Sequence, residues 1–124
     1  MVRSTIARSM PYLAITLAAE PFEEVRNRLL HESTRIVSEQ LAKPASVVCV
    51  SCRSEAMLFG GEDGPAAFLE LRSSGGLDAN RNAVLTRKLC RLLAREVDVP
   101  PERVFVTFVD IPAADWGWNG KTLG

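Results

Sequence analysis

Apolar and polar positions along the chain follow two periods that alternate. The run at 12–17 (YLAITL) reads as a strand. Glu20-Pro21-Phe22-Glu23-Glu24 reads as a helix start, with proline in the first turn and acids at the positive end of the helix dipole. Phe22, Val25, Leu29, Ile36 and Val37 then recur at near-helical spacing. Lys43-Pro44 closes that helix, since a residue preceding proline avoids the α region. A second strand is predicted at 47–52 (VVCVSC), a turn cluster at 59–65 (FGGEDGP), and a third strand at 66–72 (AAFLELR) broken by Ser73-Ser74-Gly75-Gly76. Leu85, Leu89, Leu92 and Leu93 mark one face of a second helix from about Asp78 to Val97, whose later turns carry Lys88, Arg91 and Arg95, favourable toward a C-terminus. Pro100-Pro101 ends it, and 103–109 (RVFVTFV) is the fourth strand.

The two halves match: strand, helix of about five turns, proline, valine-rich strand. The predicted class is α/β (α+β), a repeated β-α-β unit with right-handed crossovers and two helices on one face of a four-stranded sheet. The second sheet face, with Cys49, Phe68, Phe105 and Val109 as candidates for it, is expected to be apolar, and a small domain with such a face is expected to form an oligomer.

Composition narrows the function classes. The chain has 124 residues, 47% hydrophobic and 24% charged, with 15 basic and 15 acidic side chains. This fits one globular domain and gives no electrostatic case for nucleic acid or for membrane surfaces, and no apolar run approaches the length of a membrane span. Residues 1–10 contain Arg3 and Arg8, no acid, and no apolar segment of the kind a secretory signal needs; they are expected to be an N-terminal extension to a domain at 11–124. Three cysteines argue against a disulfide framework and fit a reducing, cytoplasmic setting. Cys49-Val50-Ser51-Cys52 matches C-x-x-C, but in a strand residues three apart point to opposite faces, so packed thiols are the better reading. His31 lies among polar neighbours and reads as solvated, and with no clustered ligands a metal site has no support. Trp116 and Trp118, two residues apart in the tail, either line a pocket or pin the tail to a neighbour.

Several pieces in order resemble the macrophage migration inhibitory factor (MIF) and D-dopachrome tautomerase family. They are Met10-Pro11, Lys43-Pro44, Met57-x-Phe59-Gly60-Gly61, Ser73-x-Gly75-Gly76, Asn82, Pro101-x-Arg103-Val104-Phe105 and Gly117-Trp118-Asn119-Gly120. The resemblance implies a homotrimer with the sheets forming a central barrel, helices outside and active sites between subunits. It implies keto–enol tautomerisation of phenylpyruvate- or dopachrome-type substrates without metal or cofactor. Some members are also secreted, by a non-classical route, as cytokine-like ligands of a protein receptor.

On this reading Pro11 is the general base. An α-amino group has a reference pKa of about 7.7–8.0. Burial and a neighbouring Lys43 would disfavour its charged form, leaving a neutral amine able to take a proton from the carbon beside a carbonyl. Lys43 and the backbone amide around Ser74 would hold the substrate carboxylate, while Tyr12, Phe105, Thr107 and Trp118 would line the pocket. The chain departs from the family pattern at Phe105 (usually tyrosine), Thr107 (asparagine), Ser74 (isoleucine) and Leu123 (phenylalanine), which changes pocket shape and polarity. The family's C-x-x-C falls at 66–69 (AAFL) here, so a thiol-redox activity is not expected. The mechanism requires Pro11 to carry a free secondary amine, as it would if translation starts at Met10 and that methionine is removed, or if residues 1–10 are processed away. With Pro11 internal, the competing expectation is a non-catalytic binding protein with a vestigial pocket.

Overall fold

The computed structural model describes residues 10–124; the expected extension at 1–10 lies, but for Met10, outside the described residues. In chain order the main elements are β1 (Tyr12–Leu17), α1 (Glu23–Leu41), β2 (Cys49–Ser54), β3 (Ala67–Ser73), α2 (Ala79–Val97), β4 (Val104–Asp110) and a terminal hairpin, β5 (Gly117–Trp118) with β6 (Lys121–Thr122).

The four long strands make one mixed sheet in the order β2-β1-β3-β4. β1 with β2 and β3 with β4 are parallel, and β1 joins β3 antiparallel, so the predicted β-α-β units are fused back to back. Strict alternation decides the faces. Leu13, Ile15, Leu17, Leu69 and Leu71 point to the helices and are buried against Leu29, Val37, Leu85, Leu89, Leu92 and Leu93. Val50, Cys52, Val104, Val106 and Phe108 complete that layer.

Element boundaries move in informative ways. Pro21 precedes the first helix rather than entering its first turn, and Phe22 is the cap in an extended conformation. Phe22 is therefore 78% exposed, and does not belong to the buried helix face on which its spacing placed it. β2 starts two residues later than predicted, because Ala45–Val47 form a 3-10 turn after Pro44. Asp78 caps α2 by accepting the Arg81 N–H at 2.8 Å. Of Lys88, Arg91 and Arg95, only Arg95 is in the last turn of α2.

The second sheet face is not the apolar surface expected. It presents three cross-strand rows: Cys49–Tyr12–Arg72–Val109, then Ser51–Ala14–Glu70–Thr107, then Arg53–Thr16–Phe68–Phe105. Its middle is polar, with Phe68 and Phe105 at one end and Tyr12 at the other. Cys49 is on this face and Cys52 on the other, as the strand period requires; burial raises the Cys52 thiol pKa.

Candidate active site

Strand direction sorts the candidate residues between two ends of the sheet. At the first end β1 and β2 begin and β3 and β4 finish. There Pro11 accepts the Cys49 N–H through its carbonyl at 3.0 Å, and both Pro11 and Met10 are buried. Lys43 arrives at the same end from α1. Ala42 ends the helix with a left-handed φ of 53°, and the Lys43 N–H bonds the Ser38 carbonyl at 2.9 Å. The Ser38 hydroxyl in turn donates to the Lys43 carbonyl, so the backbone that carries this lysine is held on both sides.

Ser73 and Ser74, both buried, close the same end from β3. Gly75 and Gly76 have φ of 88° and 83°, a region that glycine enters without steric cost, and this lets the chain reverse toward α2. Bonds that tie the turn down include the Ser73 hydroxyl to the Gly75 carbonyl at 2.6 Å, Gly75 N–H to Asp110 Oδ1 at 3.2 Å, and Ile111 N–H to the Ser73 carbonyl at 2.9 Å. Pro11, Lys43 and Ser74 thus come from separate segments to one end of the sheet. Lys43 puts a cation, and Gly75-Gly76 a tight turn whose Gly75 N–H is taken up by Asp110, at the same end of the sheet as the buried Pro11.

Tyr12 is in the adjoining row and shares a 2.7 Å hydrogen bond with the Ser51 hydroxyl. Thr107 is one row further, its hydroxyl donating to the Leu69 carbonyl at 3.3 Å. A cavity of about 330 Å³ covers this polar centre, lined by Tyr12, Thr16, Ser51, Arg53, Glu70 and Arg72 among others; Arg72 and Glu70 pair across it at 2.8 Å.

Phe105 is not with the proline. It stands in the row of Thr16, five residues of strand from Pro11, or about 17 Å at ~3.3 Å per residue. There it packs on Phe59 at 4.9 Å and edge-on to Phe68 at 6.3 Å. These rings, with Met57 and Leu58, border an apolar groove of about 410 Å³, and Phe105 is 57% exposed. Trp118 sits on the terminal hairpin, whose turn has Asn119 and Gly120 both at positive φ (55° and 83°), and it is 52% exposed.

Two features went unread in the sequence. The Asn119-Gly120 pair is itself a hairpin signal. Arg103 is the other: its guanidinium donates to the carbonyls of Pro65 (2.6 Å), Glu62 (3.0 Å), Asp63 (3.3 Å) and Phe59 (3.5 Å), and lies 5.5 Å over the Phe59 ring. It holds the turn cluster against β4 and so seats Phe59 on Phe105. No local pattern announces this, because the carbonyls lie far back in the chain.

Comparison with known proteins matches this layout. The sequence profile of the family described as macrophage migration inhibitory factor (MIF) matches residues 10–124. A MIF homolog of Brugia malayi is 34% identical over 116 residues, 93% of this chain and 100% of its own length. The crystal structure of a MIF-like protein from Entamoeba histolytica superposes with a TM-score of 0.87 at 29% identity, covering 91% of this chain and 98% of that one. That of a MIF homologue from Prochlorococcus marinus gives 0.86 at 31% identity, covering 91% and 99%. Two fused β-α-β units with both helices on one face are thus the MIF/tautomerase fold. The chain belongs to the macrophage migration inhibitory factor family.

Proposed function

We propose that the chain is a keto–enol tautomerase for phenylpyruvate- or dopachrome-type substrates, with the Pro11 amine as general base once Pro11 is N-terminal. The observation that carries this reading is the gathering of Pro11, Lys43 and Ser74 at one end of the sheet. The family match also begins at Met10, immediately before that proline. Proton abstraction beside a carbonyl needs a neutral base and a held substrate carboxylate, the roles of the Pro11 amine and of Lys43 with the backbone around Ser74 in this reading. Tyr12, Thr107 and Trp118 line the pocket.

The position of Phe105 supports the assembly that the resemblance implies. A ring about 17 Å from Pro11 along its own sheet can wall that pocket only when it comes from a second copy. A homotrimer with sites at the interfaces brings the aromatic end of one subunit to the proline end of the next.

The test is enolisation of phenylpyruvate by protein whose N-terminus has been sequenced as Pro11. Replacing Pro11 by Gly, which exchanges the ring-held secondary amine for a flexible primary one, lowers kcat/KM by about 10²-fold, in line with the loss of a positioned base. Equal rates for the two proteins would end the proposal. A chain in which Pro11 stays bonded to Met10 has an amide nitrogen there and no base. The buried Met10 favours, for that form, a second reading as a non-catalytic binding protein.

A further inference from the structure

On the helical layer, away from the sheet face described above, four cations converge on one cleft. Arg35 and Ile36 of α1 and Lys88, Arg91, Leu92 and Arg95 of α2 enclose about 140 Å³. The α2 residues are spaced i, i+3, i+4 and i+7, which puts them on one stripe of that helix. No carboxylate lines the cleft, and its floor is made by Ile36 and Leu92, both buried.

The neighbouring acids neutralise only part of this charge. Arg35 is held by Glu32 at 2.9 Å and Glu39 at 3.0 Å, and Arg95 by Glu96 at 3.2 Å. Lys88 and Arg91 have no hydrogen bond or ion pair among the described residues. Folding does not account for them. The helix dipole acts within the last turn, where only Arg95 sits, and like charges three and four residues apart on a helix repel. In a chain of zero formal net charge, this is a local concentration of positive charge with unused donors.

We infer that the cleft binds a phosphate or sulfate group. Such a group carries three or more acceptor oxygens; Lys88 and Arg91 donate to it directly, and Arg35 and Arg95 flank it from the two sides. The volume accommodates one tetrahedral oxyanion and not a fused ring system. The site is independent of the tautomerase reading, since none of its residues belongs to the Pro11 end of the sheet.

The experiment maps amide chemical-shift changes of the full chain on titration with sodium phosphate and sodium sulfate, against sodium chloride at equal ionic strength. The shifts are expected to centre on residues around Arg35, Lys88, Arg91 and Arg95 with either oxyanion. The Lys88→Gln/Arg91→Gln double variant weakens binding by at least about tenfold, whereas Lys88→Arg/Arg91→Lys retains it. A further arm uses tripolyphosphate. Binding no tighter than that of inorganic phosphate is expected, because the cleft holds one tetrahedral group; markedly tighter binding would overturn the single-oxyanion assignment. Shifts scattered over all cationic side chains, reproduced by chloride, or unchanged in the glutamine variant would overturn the inference.

Discussion

Arg103→Ala tests how the aromatic end of the sheet is built. The guanidinium makes three hydrogen bonds of 2.6–3.3 Å to the carbonyls of Pro65, Glu62 and Asp63 and a marginal one of 3.5 Å to Phe59. Bonds from a charged donor contribute about 1.5–3 kcal/mol each where both groups are shielded. Here the acceptors lie on an exposed turn and regain water when the side chain is removed, so the three together are worth nearer 2 kcal/mol than their sum. The stacking over Phe59 adds about 0.5–1 kcal/mol, for a total near 2–3 kcal/mol. With a urea slope of about 1–3 kcal/mol/M for a protein of this size, the midpoint drops by roughly 0.7–3 M at fixed protein concentration. Proteolysis within 55–66 should accelerate in step, because the turn loses its anchor. Arg103→Lys recovers less than half of the loss, as one ammonium cannot span carbonyls that a planar fork reaches together. A change below about 0.5 kcal/mol, or unaltered cleavage of the turn, would show that the turn is held by its own glycines and not by this side chain.

Two further outcomes are expected from local geometry. Asp78→Ala removes the side chain that caps α2 and should destabilise the protein by about 1 kcal/mol in urea denaturation, with Asp78→Asn close to wild type. Glu96 is bonded by Arg28 at 2.8 Å and Arg95 at 3.2 Å, which hold its carboxyl below the ordinary value. A depressed carboxylate pKa stabilises above the unfolded value of about 4.3 and is lost as pH falls through the folded one. The stability gap between wild type and Glu96→Gln should therefore be open at pH 7 and close in acid; a gap constant with pH would refute the pairing.

What the sequence determined by itself was local. Alternation in 67–73 (AFLELRS) puts Leu69 and Leu71 on one face and Phe68, Glu70 and Arg72 on the other, and the leucines of α2 lie on one stripe, because both periods are set by backbone geometry within a few residues. The Met10-Pro11, Lys43-Pro44 and Ser73-Ser74-Gly75-Gly76 pieces were legible for the same reason, each being a short chemical signature. The tertiary structure decided whatever depends on partners far away in the chain. Strand order and direction put Phe105 at the opposite end from Pro11, a separation that no spacing in the sequence encodes. A residue such as Phe22 can fit a helical period and still point to solvent, since the chain reaches the helix from outside it. Arg103 gathers carbonyls about forty residues back, and the basic cleft needs cations from both helices, which meet only because the helices run side by side against the sheet. Periodicity records which face a side chain takes, and packing alone records what that face meets.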